Sequence, residues 1–155
     1  MANRQFPSCP LCAYWEKPNR RGERFQLGWG AITFNIDRAR KLIDELGLIP
    51  QPIETEQLRS FVTWPKPPEV NEAGQQVNHI PRWASINYEH VAHVDRTVPI
   101  IIATFELDGT GRHHGPIDGH HRIARALRDG QLEIPAFILD EQRTKKIMRR
   151  RRTER

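Results

Sequence analysis

A chain of 155 residues is long enough for one hydrophobic core and too short for two comfortable domains. With 37 % apolar and 28 % charged residues it has no stretch near the ~20 apolar residues that a bilayer span requires, so a membrane partner is not expected. The formal charge of +5 is concentrated at one end: residues 141–155 hold eight basic side chains against Glu141 and Glu154, a net of +6, which leaves the preceding 140 residues at −1.

The cysteines, Cys9 and Cys12, lie close together with no third to staple a secreted fold, and the opening Met-Ala-Asn-Arg-Gln-Phe-Pro lacks the apolar run of a signal peptide. A reducing, cytoplasmic setting is expected. Residues 1–24 show neither helical nor strand period and read as an extension. Cys9-x-x-Cys12 is half of a zinc site. His90-x-x-His93 completes it only if the fold joins the two segments; a metal shared in a homodimer, or two ordinary thiols, are the alternatives.

From Phe25 to Ile36 the aromatic and β-branched content predicts a short strand, interrupted by Gly28 and Gly30. Asp37 then has the character of an N-cap. Ala39, Leu42, Ile43 and Leu46 form an apolar stripe at helical spacing, and Gly47 is a natural stop. Residues 64–83 contain Pro65, Pro67, Pro68, Gly74 and Pro81 and read as a long loop pinned by Trp64 and Trp83. Residues 99–105 are continuously apolar and β-branched, as in a buried strand. A glycine-rich turn is expected over 108–115, a brief strand over 116–118, and a helix from Gly119 to about Arg128. In that helix Ile123, Ala124 and Leu127 face inward and Gly130 is the stop. Residues 135–139 form another buried strand. The expected fold is α/β (α+β), a small mixed sheet with flanking helices over residues 25–140, followed by a basic tail over 141–155.

Chemistry is concentrated in Asp118-Gly119-His120-His121-Arg122, where a strand opens into a helix. Asp118 is placed to cap the helix, and Gly119 lets the chain turn and a ligand approach. The first amides carry the positive end of the helix dipole. His120, His121 and Arg122 add side-chain donors, and Arg122 can grip a phosphate with two parallel bonds. The plainer alternative is a capped helix with a solvated first turn. His113 and His114 join the same site if their loop curls back to it. Glu106 and Asp108, at the end of the buried strand, are candidates to hold Mg²⁺ beside a phosphate. His121 or Asp118 could act as a general base.

The stretch Pro116-Ile117-Asp118-Gly119-His120-His121-Arg122-Ile123-Ala124-Arg125-Ala126, with Gly130 and Ile134 to Leu139 behind it, resembles the signature region of the ParB/sulfiredoxin superfamily. Val94 to Ile101 is similar to the strand that leads into it, so the resemblance covers about residues 87–140. It implies a ParB/sulfiredoxin-like fold in which Gly119, His120, His121 and Arg122 cradle the phosphate of a nucleotide such as ATP, ADP or CTP. His120 stands where sulfiredoxin needs a cysteine, which argues against sulfinic-acid reduction. His120 and His121 replace the Glu-Arg of partition proteins, and the chain lacks room for their helix-turn-helix and dimerisation domains. The Asp-Gly-His-His-Arg form is closer to stand-alone and kinase-like members.

Three functions follow as expectations. One is a nucleotide- or phosphodiester-binding protein, with nuclease, NTPase or other hydrolase activity at Asp118 and His121. Another is a non-catalytic DNA-binding or regulatory module acting through Arg143, Lys145, Lys146, Arg149, Arg150, Arg151 and Arg152. The third is an amino-acid kinase with the 64–83 loop as its lid.

Overall fold

In a computed structural model of the chain, residues 23–27, 32–62, 72–73, 91–95, 97–107 and 111–151 are described. The elements in chain order are strand β1 (Arg24–Leu27), β2 (Ile32–Asn35), helix α1 (Ile36–Leu46), β3 (Gln51–Glu54), a 3₁₀ helix (Thr55–Phe61), β4 (Ile100–Leu107), β5 (Gly111–Asp118), α2 (His120–Arg128), β6 (Glu133–Leu139), α3 (Glu141–Lys145) and β7 (Met148–Arg150). The result is a mixed α+β fold. Among the described residues no helix is long and apolar enough to cross a membrane. Of the expected 64–83 loop only Glu72 and Ala73, a turn, are described, and Cys9, Cys12, His90 and Asp108 fall outside the described residues.

Among the described residues two sheets are formed, one ordered β1-β2-β7 and the other β3-β6-β4-β5. In the second, β4 runs parallel to β6 and antiparallel to β5, and β6 runs antiparallel to β3. The apolar run of β4 reflects burial on both faces. Ile101, Ala103 and Phe105 join Ile32, Phe34, Ala39 and Ile43 from the first sheet and α1. Ile100 and Ile102 join Leu58, Ile123 and Ala126 from the 3₁₀ helix and α2. The four-stranded sheet is thus the middle layer, and period-two alternation divides its side chains between two cores.

Pro135 lies inside β6, a central strand, where a missing N–H should break the ladder. It is opposite Pro52 of β3, and pairing with β4 begins only at Ala136. Neither proline is therefore asked to donate: the antiparallel pair is one of those that exchange no hydrogen bonds, and β4 has not yet started.

Helix α1 is capped by Asn35, whose side chain accepts from the Arg38 N–H at 3.0 Å, so the expected cap at Asp37 is displaced by two residues. Asp37 instead accepts from the Glu23 N–H and ties β1 to the helix. Gly47 ends the helix as expected, in the left-handed region at φ 60°. Gly130 follows α2 with φ 70°.

Two further expectations are corrected. Residues 113 and 114 belong to β5, not to a loop, and pair with Phe105 and Thr104. Residues 141–151 of the expected 141–155 tail are folded into the domain. Asp140 caps α3, Thr144 and Ile147 are buried, and β7 completes the first sheet by pairing with β2. The apolar residues that anchor this region, Ile147 and Met148, were masked in the sequence by the charges around them.

Candidate functional site

Strand β5 delivers Asp118 to the start of α2 through a register shift: Ile101 faces Asp118 but Ile102 faces Pro116, which leaves Ile117 as the extra residue. Such a bulge re-aims the side chain beside it. Asp118 does not cap α2; the N-cap position is Gly119, at φ 95°, and no side chain caps the first turn. The Asp118 carboxylate is directed instead to two guanidinium groups. Its Oδ2 accepts from Arg40 Nη2 at 2.9 Å and is 3.1 Å from Arg122 Nη2.

Arg40 is the residue that sequence reading missed. It follows Ile36 by four residues and precedes Ile43 by three, which puts an arginine on the buried face of α1. A cation in that position requires an acid within reach, and this was the available signal. Its Nη1 binds Glu23 Oε2 at 2.6 Å. Burial opposes the charge on Arg40, but Asp118 and Glu23 outweigh it and hold the guanidinium above its ordinary pKa. Burial likewise opposes ionisation of Asp118, and Arg122 and Arg40 reverse the balance and keep it below the usual carboxylate value. A carboxylate so held is a poor proton acceptor near neutrality, which removes the physical basis for Asp118 as general base.

Arg122 also anchors the segment that enters β4. Its Nη1 donates to the carbonyls of Pro99 at 3.0 Å and Val98 at 3.3 Å. Arg125, one turn of helix on, donates to the Val94 carbonyl at 2.5 Å. The Arg122 side chain folds back over Gly119: a Cβ built there would lie 3.0 Å from both Nε and Nη2 and 2.5 Å from Ile100 Cγ2. Glycine is therefore required here by packing and by backbone conformation, and on the Cβ side of Gly119, where a ligand was expected to approach, Ile100 and Arg122 fill the space. The Nε of Arg122 makes no hydrogen bond among the described residues and lies beside Gly119, the N-cap residue of α2.

His120 points inward. It is 7 % exposed and stacks on Phe25 with ring centroids 5.0 Å apart. It hydrogen-bonds the Pro116 backbone while Nε2 has no partner among the described residues, so Nδ1 carries the proton. Burial pushes its pKa down to about 4, with the Asp118 charge acting in the opposite direction. Unfolded, the ring titrates near 6.5. Above pH 6.5 both states are neutral and nothing is lost. As the pH falls from 6.5 to about 4 only the unfolded state takes the proton, so stability should drop by on the order of 3 kcal/mol. Urea unfolding at about pH 7 and pH 5 checks this, and His120→Phe should flatten that part of the profile. The Asp118 contribution is lost only at lower pH, as the acid passes below its ordinary value.

His121 is partly exposed in the first turn of α2. His113 and His114 are not brought to it: His113 stacks on Phe105 and His114 Nδ1 lies 2.9 Å from Thr104 Oγ1. Four steps of strand separate His114 from Asp118, roughly 13 Å. Glu106 is further away, five positions along β4 from the residue facing Asp118, so it cannot hold a cation beside the α2 turn. It lines a separate cleft of about 350 Å³ with Thr104, Phe105, Glu141, Lys145, Met148 and Arg150. The charges of that cleft are engaged with protein groups: Glu141 with Arg112 and Lys145, and Arg150 with the Glu106 carbonyl. No group of three or more histidine, cysteine, aspartate or glutamate side chains suited to a metal occurs among the described residues.

Fold and site together define a small α+β protein with a half-buried Arg40–Asp118–Arg122 cluster beside a helix start that no side chain caps among the described residues. Comparison with protein-family models, with curated proteins and with solved structures finds no match.

Proposed function

We propose that the protein binds the phosphate of a nucleotide or phosphodiester at the first turn of α2. One observation carries this: the carboxylate beside that turn is diverted to Arg40 and Arg122, so among the described residues the turn has no side-chain cap, while Arg122 Nε lies beside Gly119 with no hydrogen bond among those residues. Amides at a helix start carry partial positive charge and need an acceptor, and a phosphate oxygen supplies both the charge and the lone pairs. Arg122 Nε and His121 are the side-chain donors within reach of such an oxygen. ATP, ADP and CTP are the candidate ligands, in keeping with the ParB/sulfiredoxin-like character of residues 116–126. Magnesium would enter with the nucleotide, because Glu106 is at the other end of β4. With Asp118 held as an ion pair, His121 is the residue left to move a proton in any nuclease, NTPase or kinase reaction there.

Nitrogen-15 NMR tests the reading. Titration with ATP, ADP or CTP should shift the amide resonances of Gly119–Arg122, and His121→Ala should weaken binding about tenfold, the worth of one charge-assisted hydrogen bond. Millimolar nucleotide, with and without Mg²⁺, that leaves those amides unmoved would overturn it.

A further inference from the structure

The outward face of the β1-β2-β7 sheet is independent of the α2 turn. Register and alternation assign its side chains. Phe25, Phe34 and Met148 share one cross-strand row, and Leu27, Ile32 and Arg150 another. The apolar members of both rows pack on the core, so these rows face inward. The intervening rows, Gln26–Thr33–Arg149 and Arg24–Asn35, therefore face outward. Arg24, Gln26 and Arg149 are exposed, as is Arg151, two residues beyond Arg149.

No carboxylate occurs in the outward rows, a notable absence in a chain with 19 acidic residues. Glu23 and Asp37, at the Arg24 end, are turned to Arg40. Arg149 and Arg151 have no ion pair among the described residues. In the sequence Arg20 and Arg21 precede β1 and Arg152 follows Arg151. Strands β1 and β7 both run antiparallel to β2, so the chain enters β1 and leaves β7 at opposite ends of the face.

From this we infer that the outward β1-β2-β7 face is a docking surface for the phosphodiester backbone of nucleic acid. A polyanion complements an acid-free face that carries Arg24 and Arg149 on its strands and Arg151 just past β7, and its counterions are released on contact. A second copy of the chain is disfavoured, because it would bring like charges together along the exposed edge of β7. Phosphate contacts position a protein without reading bases, so binding through these arginines is independent of sequence.

The test uses the full chain and fluorescein-labelled oligonucleotides, single-stranded and duplex, followed by anisotropy at several salt concentrations. Native protein should bind with log K falling linearly in log salt. The variant R24Q/R149Q/R151Q should lose on the order of tenfold to a hundredfold at low salt, with a duplex slope shallower by about 2 to 3. R38Q/K41Q/R128Q removes the same charge from other exposed positions and should stay within about twofold of native, with circular dichroism confirming that both variants fold. The inference fails if neither oligonucleotide binds at low salt, if the face variant binds like native, or if the control loses as much. Competition by polyglutamate as effective as unlabelled DNA would also overturn it, in favour of an acidic protein partner. ATP-induced amide shifts at Gly119–Arg122 should persist in the face variant, so the two sites can fail separately.

Discussion

Asp118→Asn should lower stability by about 3–5 kcal/mol, because it leaves the Arg122 guanidinium in a mostly buried site with no carboxylate paired to it among the described residues, and Arg40 with only Glu23 and Asp37. The carboxylate side chain is only 12 % exposed and Arg122 beside it 13 %. The melting temperature should fall by roughly 10 °C for a chain of this size. The substitution separates two roles cleanly. Asparagine caps a helix about as well as aspartate, so an N-cap at Asp118 would make the change nearly neutral. Arg40→Ala should cost less than Asp118→Asn, since Arg40 is 31 % exposed and shares its charge with solvent-facing Glu23. A urea-unfolding difference below about 1 kcal/mol for Asp118→Asn would show that the cluster does not hold α1 to the α2 turn.

Gly119→Ala is expected to be comparably damaging, by about 2–5 kcal/mol, from two sources that add. A side chain at φ 95° is strained by about 1–2 kcal/mol. The new methyl would also collide with Ile100 Cγ2, a core atom on β4 that moves only by repacking, at a cost of about 1–3 kcal/mol. Gly47→Ala is the matched control. Its φ is 60°, but nothing lies within 4 Å of the position a Cβ would take, so only the backbone strain of about 1 kcal/mol applies. Equal losses in the two variants would mean that Ile100 and Arg122 yield to the methyl, and that the α2 turn is open enough to admit a ligand from that side.

Local order was readable from the residues wherever one physical signal dominated. The apolar run 99–105 became β4, the stripe through Ala39 and Ile43 became α1, and the glycines at 47 and 130 stopped their helices. Those signals are short-range: periodicity sets which face is buried, and a positive φ selects glycine. The α+β class and the helix from 120 to 128 followed from the same local rules. Where a local rule met a distant partner, the partner prevailed. Asp118 and Asp37 are both good capping residues by type, yet a charged guanidinium or a distant backbone N–H took each carboxylate instead.

The sequence by itself therefore determined the helices, the buried strand and the concentration of donors around Gly119. Tertiary structure alone decided that Arg40, 78 positions from Asp118, completes the buried ion cluster. It also decided that His120 is a neutral core ring and that the basic C-terminal region is a strand with an outward arginine face. The physical reason is that charge pairing and burial depend on distance in space. Sequence spacing predicts that distance only within a turn of helix or a step of strand.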